Sequence, residues 1–126
     1  MIFLDLSKAY DRICHTRLIY KLRKIGIKGT LLKWIESYLS DRSQRVVYGG
    51  TTSDFIKIFG SVPQGSILSS LLFLIYLIDI EAGIKSDMFM FADDVALMNK
   101  FKNKNNLEVE INADLEKLND WAYTWN

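Results

Sequence analysis

Disulfides and cysteine-based zinc sites are excluded at once, because the 126 residues include a single cysteine, Cys14, and either feature needs more. A single histidine, His15, leaves little room for a histidine-rich metal centre. One proline and seven glycines make few breaks, so regular elements should be long. No N-terminal stretch joins a basic start, an apolar core and a small-residue cleavage site, which argues against a signal peptide. The longest apolar run, Leu71 to Ile78, is far too short to span a membrane. The chain is therefore expected inside the cell, in cytoplasm or nucleus, with no membrane partner. Its 49% hydrophobic and 25% charged residues are ordinary globular composition and exclude a disordered or collagen-like chain. The length fits one domain or part of a larger one.

Charge is present but uneven. The net value is +1, yet residues 1–50 hold ten Lys and Arg against four Asp and Glu, and residues 51–126 hold six against eleven. A basic first part beside an acidic second part suits a polyanion lying against one side only. Solvated helix faces are the plainer reading of the same pattern.

Apolar periodicity divides the chain into elements. Met1 to Leu4 reads as a buried strand that stops at Asp5. From His15 to Lys24 the apolar residues Leu18, Ile19, Leu22 and Ile25 recur at helical spacing. After a break at Gly26 and Gly29, a second helix carries Leu31, Leu32, Ile35 and Leu39, with Thr30 as N-cap and an end near Ser40-Asp41. Gln44 to Tyr48 and Asp54 to Phe59 flank Gly49-Gly50-Thr51-Thr52 and read as a hairpin. The loop Gly60 to Gly65 feeds a helix from about Ser66 to Glu81, apolar nearly all round, which implies burial on most sides. Asp87 to Ala92 and Val95 to Asn99, separated by Asp93-Asp94, read as a second hairpin. Asn105 to Trp125 is amphipathic, with Leu107, Ile111, Leu115, Leu118, Ala122 and Trp125 on one face. Antiparallel pairs with helices on one face predict an α+β fold. No repeat or linker divides residues 1–126.

Chemistry concentrates at a few acidic positions. A two-residue hairpin turn favours Asn-Gly or Asp-Gly, because φ must be positive. Asp93-Asp94 breaks that rule and sets like charges side by side, which is frequent where function overrides local preference. Adjacent carboxylates at a hairpin tip suit Mg²⁺, which takes oxygen ligands, usually one or two of them protein carboxylates. A solvated acidic turn is the alternative. Asp5, at a strand end, is a natural third ligand or else a helix N-cap. Ser61 to Ser66 opens a helix whose free N–H groups suit a phosphate or base, or it is a plain turn. Asp11 reads as a helix cap before a catalytic group. Cys14 and His15, being adjacent, point apart and make no nucleophile–base pair. Arg42, Arg45 and Lys33 suit template phosphates or solvated faces. Trp121, Tyr123 and Trp125 suit packing more than base stacking.

Taken in order, these segments resemble reverse transcriptases, most closely those of non-LTR (LINE-like) retrotransposons. Phe3-Leu4-Asp5-Leu6-Ser7-Lys8-Ala9-Tyr10-Asp11 is similar to the family's first catalytic motif. Tyr38 to Val46 is similar to its helix-to-hairpin segment. Val62-Pro63-Gln64-Gly65-Ser66, running into Leu71 to Tyr76, is similar to the second motif. Phe91-Ala92-Asp93-Asp94 is similar to the third, and Leu118-Asn119-Asp120-Trp121 to the helix that follows. The resemblance implies a palm subdomain making DNA on an RNA template from a DNA primer and deoxynucleoside triphosphates. It implies that Asp5 and Asp93 ligate two Mg²⁺ ions (Mn²⁺ as a substitute), with Asp94 supporting. It implies that the Leu6 carbonyl touches the nucleotide-bound ion, that Tyr10 excludes a 2′-hydroxyl, and that Pro63, Gln64 and Gly65 contact nucleotide or template. Departures accompany it. Ser61 stands where the family usually has Gly, Ser69-Ser70 where it often has Gly-Pro, Ile78 where it has Asn, and Phe91 where Tyr is commoner. The chain starts on the first motif and stops after the last helix, so fingers, thumb and endonuclease are expected to be missing. On that expectation it is a palm fragment, inactive alone. A noncatalytic nucleic-acid-binding remnant and a nonfunctional relic are the competing readings.

Overall fold

The computed structural model of the chain describes residues 1–100 and 104–125, side chains at 104–106 excepted. The elements run β1 (Ile2–Asp5), α1 (His15–Lys24), α2 (Gly29–Leu39), β2 (Ser43–Gln44), β3 (Val47–Tyr48), β4 (Thr51–Thr52), β5 (Ile56–Lys57), α3 (Ile67–Tyr76), β6 (Asp87–Phe91), β7 (Asp94–Met98) and α4 (Lys104–Trp125). Helices and small antiparallel sheets together make an α+β chain. It divides into two compact units, Met1–Ala9 with Tyr76–Asn126, and Tyr10–Ile75.

The first unit is built on a three-stranded antiparallel sheet in the order β1-β7-β6. Strand alternation sorts its side chains. Ile2 and Leu4 stand opposite Leu97 and Val95, which in turn stand opposite Met88 and Met90. Val95 and Leu97 are buried, so this is the inner face. The other face carries Phe3, Phe89 and Phe91, all exposed. The segment before β6 is tied to α4 through Asp114. This carboxylate is 0% exposed. It accepts from the Lys85 amide at 3.0 Å, the Ser86 amide at 2.9 Å and the Ser86 hydroxyl at 2.7 Å. The Trp121 indole donates to Asp79 at 2.7 Å. Trp121 and Trp125 both meet the Tyr76 ring edge-on, so these two aromatics serve packing. Tyr123 is exposed.

The second unit holds α1 and α2. Leu18 and Leu22 from the first, and Leu32, Ile35 and Leu39 from the second, are buried. An exposed Arg23–Glu36 pair at 2.9 Å joins the two helices, contributing at most about 1 kcal/mol. The α1 limits agree with the periodicity. The α2 start does not, since Lys28 rather than Thr30 is the N-cap, without a side-chain hydrogen bond. The first hairpin turns on Gly49-Gly50 alone, both at positive φ, while Thr51 and Thr52 join the strand opposite Tyr48 and Val47. Between the paired segments, Arg45 and Val46 face Ser53, Asp54 and Phe55. That extra residue is a bulge. There the Ser53 hydroxyl accepts from the Val46 amide at 2.9 Å.

Two further expectations are corrected. Helix α3 ends at Tyr76, with turns following to Gly83, and it is not buried on most sides. Leu72 and Phe73 are buried, but Ile67 is 92% exposed and Leu71 and Leu74 share its open face. An apolar sequence fixes the helix, not whether this chain supplies a neighbour for each side. In the second hairpin the turn is Ala92-Asp93, and Asp94 is already in β7 opposite Phe91.

Candidate active site

Strand pairing brings the acidic residues of the first and third motifs to one end of the sheet. Asp5, last in β1, stands directly opposite Asp94, first in β7. One step on, the Leu6 amide donates to the Asp93 carbonyl at 3.0 Å. The Asp5–Asp94 pair therefore occupies the non-hydrogen-bonded position, where side chains on one face stand closest, with Cβ atoms roughly 4.5–5.5 Å apart. Asp5 and Asp94 are exposed, and Asp93 is half-buried in the turn. Asp5 thus serves as a strand residue and not as a helix cap. Among the described residues, no three Asp, Glu, His or Cys side chains come together as a metal-holding set. The backbone register sets Asp5 against Asp94. Asp93 contributes its carbonyl to the same strand end.

The turn beside this pair is strained. Ala92 has φ +53, a left-handed conformation that disfavours a residue carrying Cβ. Next to it lies a shallow open pocket on the sheet's outer face, lined by Phe3, Phe89, Phe91, Asp94 and Ala96 among others. The carboxylate pair is the polar end of an aromatic surface.

The residues of the second motif belong to the other unit. Val62 is buried, Pro63 half-buried, and Gln64 and Gly65 exposed. The loop they form is bonded to the segment before α1. The Val62 amide donates to the Tyr10 carbonyl at 3.1 Å, and the Ser61 amide to the Ile13 carbonyl at 2.9 Å. The His15 ring nitrogen Nε2 meets the Ser61 carbonyl at 2.7 Å. The Gln64 amide reaches Asp11 Oδ1 at 3.5 Å, a long contact. Asp11 is therefore no helix cap. Cys14 occupies the α1 N-cap position, without a side-chain bond. At the far end of the loop the Tyr38 hydroxyl lies 3.2 Å from both the Ser66 and Ser69 hydroxyls. Those bonds, from Ser66 first and Ser69 second, lower the Tyr38 pKa against the opposing effect of burial, and the Arg42 charge adds to them. Tyr10 is half-buried, its ring stacked on Phe73 with centroids 4.3 Å apart.

Sequence reasoning passed over the parts played by His15, Tyr38 and Asp114. His15 leaves no periodic trace in the sequence, because its bond spans 46 positions. Asp114 did leave a signal, since it lies three residues after Ile111 and four before Leu118, on the apolar stripe of α4.

Residues 1–126 match the family described as reverse transcriptase (RNA-dependent DNA polymerase). The chain belongs to that family. This reverse transcriptase domain is of the non-LTR retrotransposon kind. It is 29% identical over 132 residues to the RNA-directed DNA polymerase from mobile element jockey of Drosophila melanogaster, covering 98% of this chain and 14% of that protein. The jockey protein of Drosophila funebris is also 29% identical over 132 residues, with the same coverage. The probable RNA-directed DNA polymerase from transposon X-element of Drosophila melanogaster is 28% identical over 130 residues, covering 99% of this chain and 14% of that protein. The chain thus spans about one seventh of the length of these relatives.

Two departures from the family pattern acquire physical meaning in this reverse transcriptase domain. Ser61, at a usual Gly position, has φ +79, which suits Gly and strains Ser. Ser69, at another, is buried, and its added hydroxyl meets the Tyr38 hydroxyl. Among the described residues, no helix is long and apolar enough to cross a membrane.

Proposed function

We propose that this chain is the catalytic palm of an RNA-directed DNA polymerase and works as part of a longer protein. The observation that carries the reading is the Asp5–Asp94 opposition, with Asp93 beside it. Like charges directly opposed across two strands destabilise a sheet, so the arrangement fits a place that takes up a cation. Its donors are hard carboxylate oxygens, of which Mg²⁺ ordinarily takes one or two from the protein. Asp5 and Asp93 would ligate the metal, with Asp94, opposite Asp5, supporting. Mg²⁺ bound there supplies charge neutralisation on the triphosphate.

The remaining roles fall to positioning, which together with charge neutralisation supplies the catalysis of phosphoryl transfer. The Leu6 carbonyl would face the nucleotide. Tyr10, braced by Phe73, would keep a fixed ring beside the sugar and exclude a 2′-hydroxyl. Pro63, Gln64 and Gly65 would meet the nucleotide or template from a loop anchored at both ends. The partners would be an RNA template, a DNA primer and deoxynucleoside triphosphates. Fingers and thumb would come from the remainder of a chain as long as the relatives'.

The test is primer extension on an RNA template with Mg²⁺, in the longest in-frame protein containing this chain. Asp5→Asn and Asp93→Asn should each lower extension by about a thousandfold or more, and the 126-residue chain alone should extend nothing. Extension that survives Asp5→Asn refutes the assignment. A noncatalytic descendant is the second reading, favoured by the strained Ser61 at φ +79. It predicts nucleic-acid binding by the parent protein without any extension.

A further inference from the structure

We propose that His15 is a positioning residue that fixes the loop presenting Gln64. The inference rests on the reading of Gln64 as a nucleotide contact. A carbonyl only accepts hydrogen bonds, so the His15 ring must carry its proton on Nε2 and donate it to the Ser61 carbonyl at 2.7 Å. The peptide unit held in this way follows Ser61, whose φ of +79 is strained for any residue but glycine. Two backbone bonds assist, from the Ser61 amide to Ile13 and from the Val62 amide to Tyr10. The contact is close, since a Cβ on Gly60 would stand 3.0 Å from the Ile13 carbonyl oxygen. Downstream, Tyr38 holds Ser66. Gln64 and Gly65 are thus the exposed tip of a loop fastened at both ends, and only on the upstream side is a strained residue held by a side chain.

The strain and the histidine bond act together. With serine at position 61 the left-handed conformation is unfavourable, and the His15 bond offsets that. With glycine there the conformation costs little, and the bond matters less. The prediction is therefore a coupling between positions 15 and 61 that is read at the nucleotide.

The experiment uses the longest in-frame protein containing this chain, with amide hydrogen exchange at Ser61 and Val62 and titration with deoxythymidine triphosphate and Mg²⁺. His15→Ala should speed exchange of both amides by about tenfold and weaken nucleotide binding by about fivefold. His15→Gln, which keeps an N–H donor, should restore both to within about twofold. In a Ser61→Gly background, His15→Ala should weaken binding by less than about twofold. Unchanged exchange in His15→Ala shows that no clamp exists and overturns the proposal. Faster exchange with unchanged affinity shows a merely structural bond, which also overturns it while leaving the polymerase reading intact. A parent chain with no affinity for the nucleotide removes the Gln64 reading and this inference with it, whatever the exchange shows. If His15→Ala fails to fold, the Ser61→Gly and His15→Gln variants still decide, because Ser61→Gly alone should slow exchange at Val62 and His15→Gln should match the parent.

Discussion

The two hairpins reverse each other's logic. The first turns on Gly49-Gly50 at φ +54 and +79, residues that adopt such angles without steric cost. Its strands are nonetheless only two residues long, interrupted by a bulge and exposed. The second turns on Ala92-Asp93, with Ala92 at φ +53, yet its strands run five residues each and β7 is paired on both edges. Good turn chemistry is found where little else holds the chain. Poor turn chemistry is tolerated where the sheet, the inner face and α4 impose the conformation. The acidic end sits at the imposed turn, in keeping with the tendency of strain to collect at working sites.

The largest way to break this comparison is to remove what imposes the second hairpin. Asp114→Ala strands the amides of Lys85 and Ser86 and the Ser86 hydroxyl in a buried setting. It should lower the free energy of unfolding by about 3 kcal/mol, measured by urea denaturation. Burial pushes the Asp114 carboxyl up, but the Ser86 hydroxyl, the two amides and the Lys117 charge together outweigh it and leave its pKa below the ordinary 3.8. A carboxyl lowered on folding stabilises above its unfolded value, and that stability is lost as pH falls through the folded one. Stability should therefore drop on acidification below the ordinary carboxylate range, and Asp114→Asn should flatten that part of the profile.

Next in size, Ala92→Gly should relieve the left-handed residue and raise stability by about 1 kcal/mol. A loss of stability on this change would show that Ala92 is not strained. In the first hairpin the same logic runs backwards. Gly50→Ala meets no neighbour within 4 Å, so only its φ penalises it. It should loosen the turn locally by about 1 kcal/mol, seen as faster exchange of the Ser53 amide with little change in the global transition. Smallest is Asp94→Asn, which removes one of two opposed charges and should stabilise the metal-free chain by a few tenths of a kcal/mol, an effect that added salt should erase.

The α+β class, the α1 limits, the β1 strand and both hairpins were legible because hydrophobic periodicity encodes them directly. The position of the second turn was not. Two aspartates mark polarity, whereas the turn is set by register, with Val95 and Leu97 facing inward and Asp94 falling opposite Asp5 and Phe91. The open face of α3 was illegible for another reason. Ile67, Leu71 and Leu74 have the composition of a buried stripe, and a sequence does not state whether a partner lies within its own length. At the candidate site, the motifs named Asp5, Asp93, Asp94 and Gln64 as residues of interest. The holding groups His15 and Tyr38 were hidden, because each acts over tens of positions through one hydrogen bond and leaves no periodic trace.

The strand order β1-β7-β6 also sets a timetable. Between Asp5 and Asp94 lie 88 residues, which a ribosome adds in roughly 4–18 s at about 5–20 residues per second. Through that interval β1 is a finished strand without its neighbour, offering Phe3 and an unpaired backbone edge to any other extended chain. The Asp5 carboxylate is thus synthesised well before the group that stands opposite it. A nascent chain halted anywhere before residue 94 carries Asp5 with no opposing acid, so the pair can form only after the whole stretch from β1 to β7 has left the ribosome.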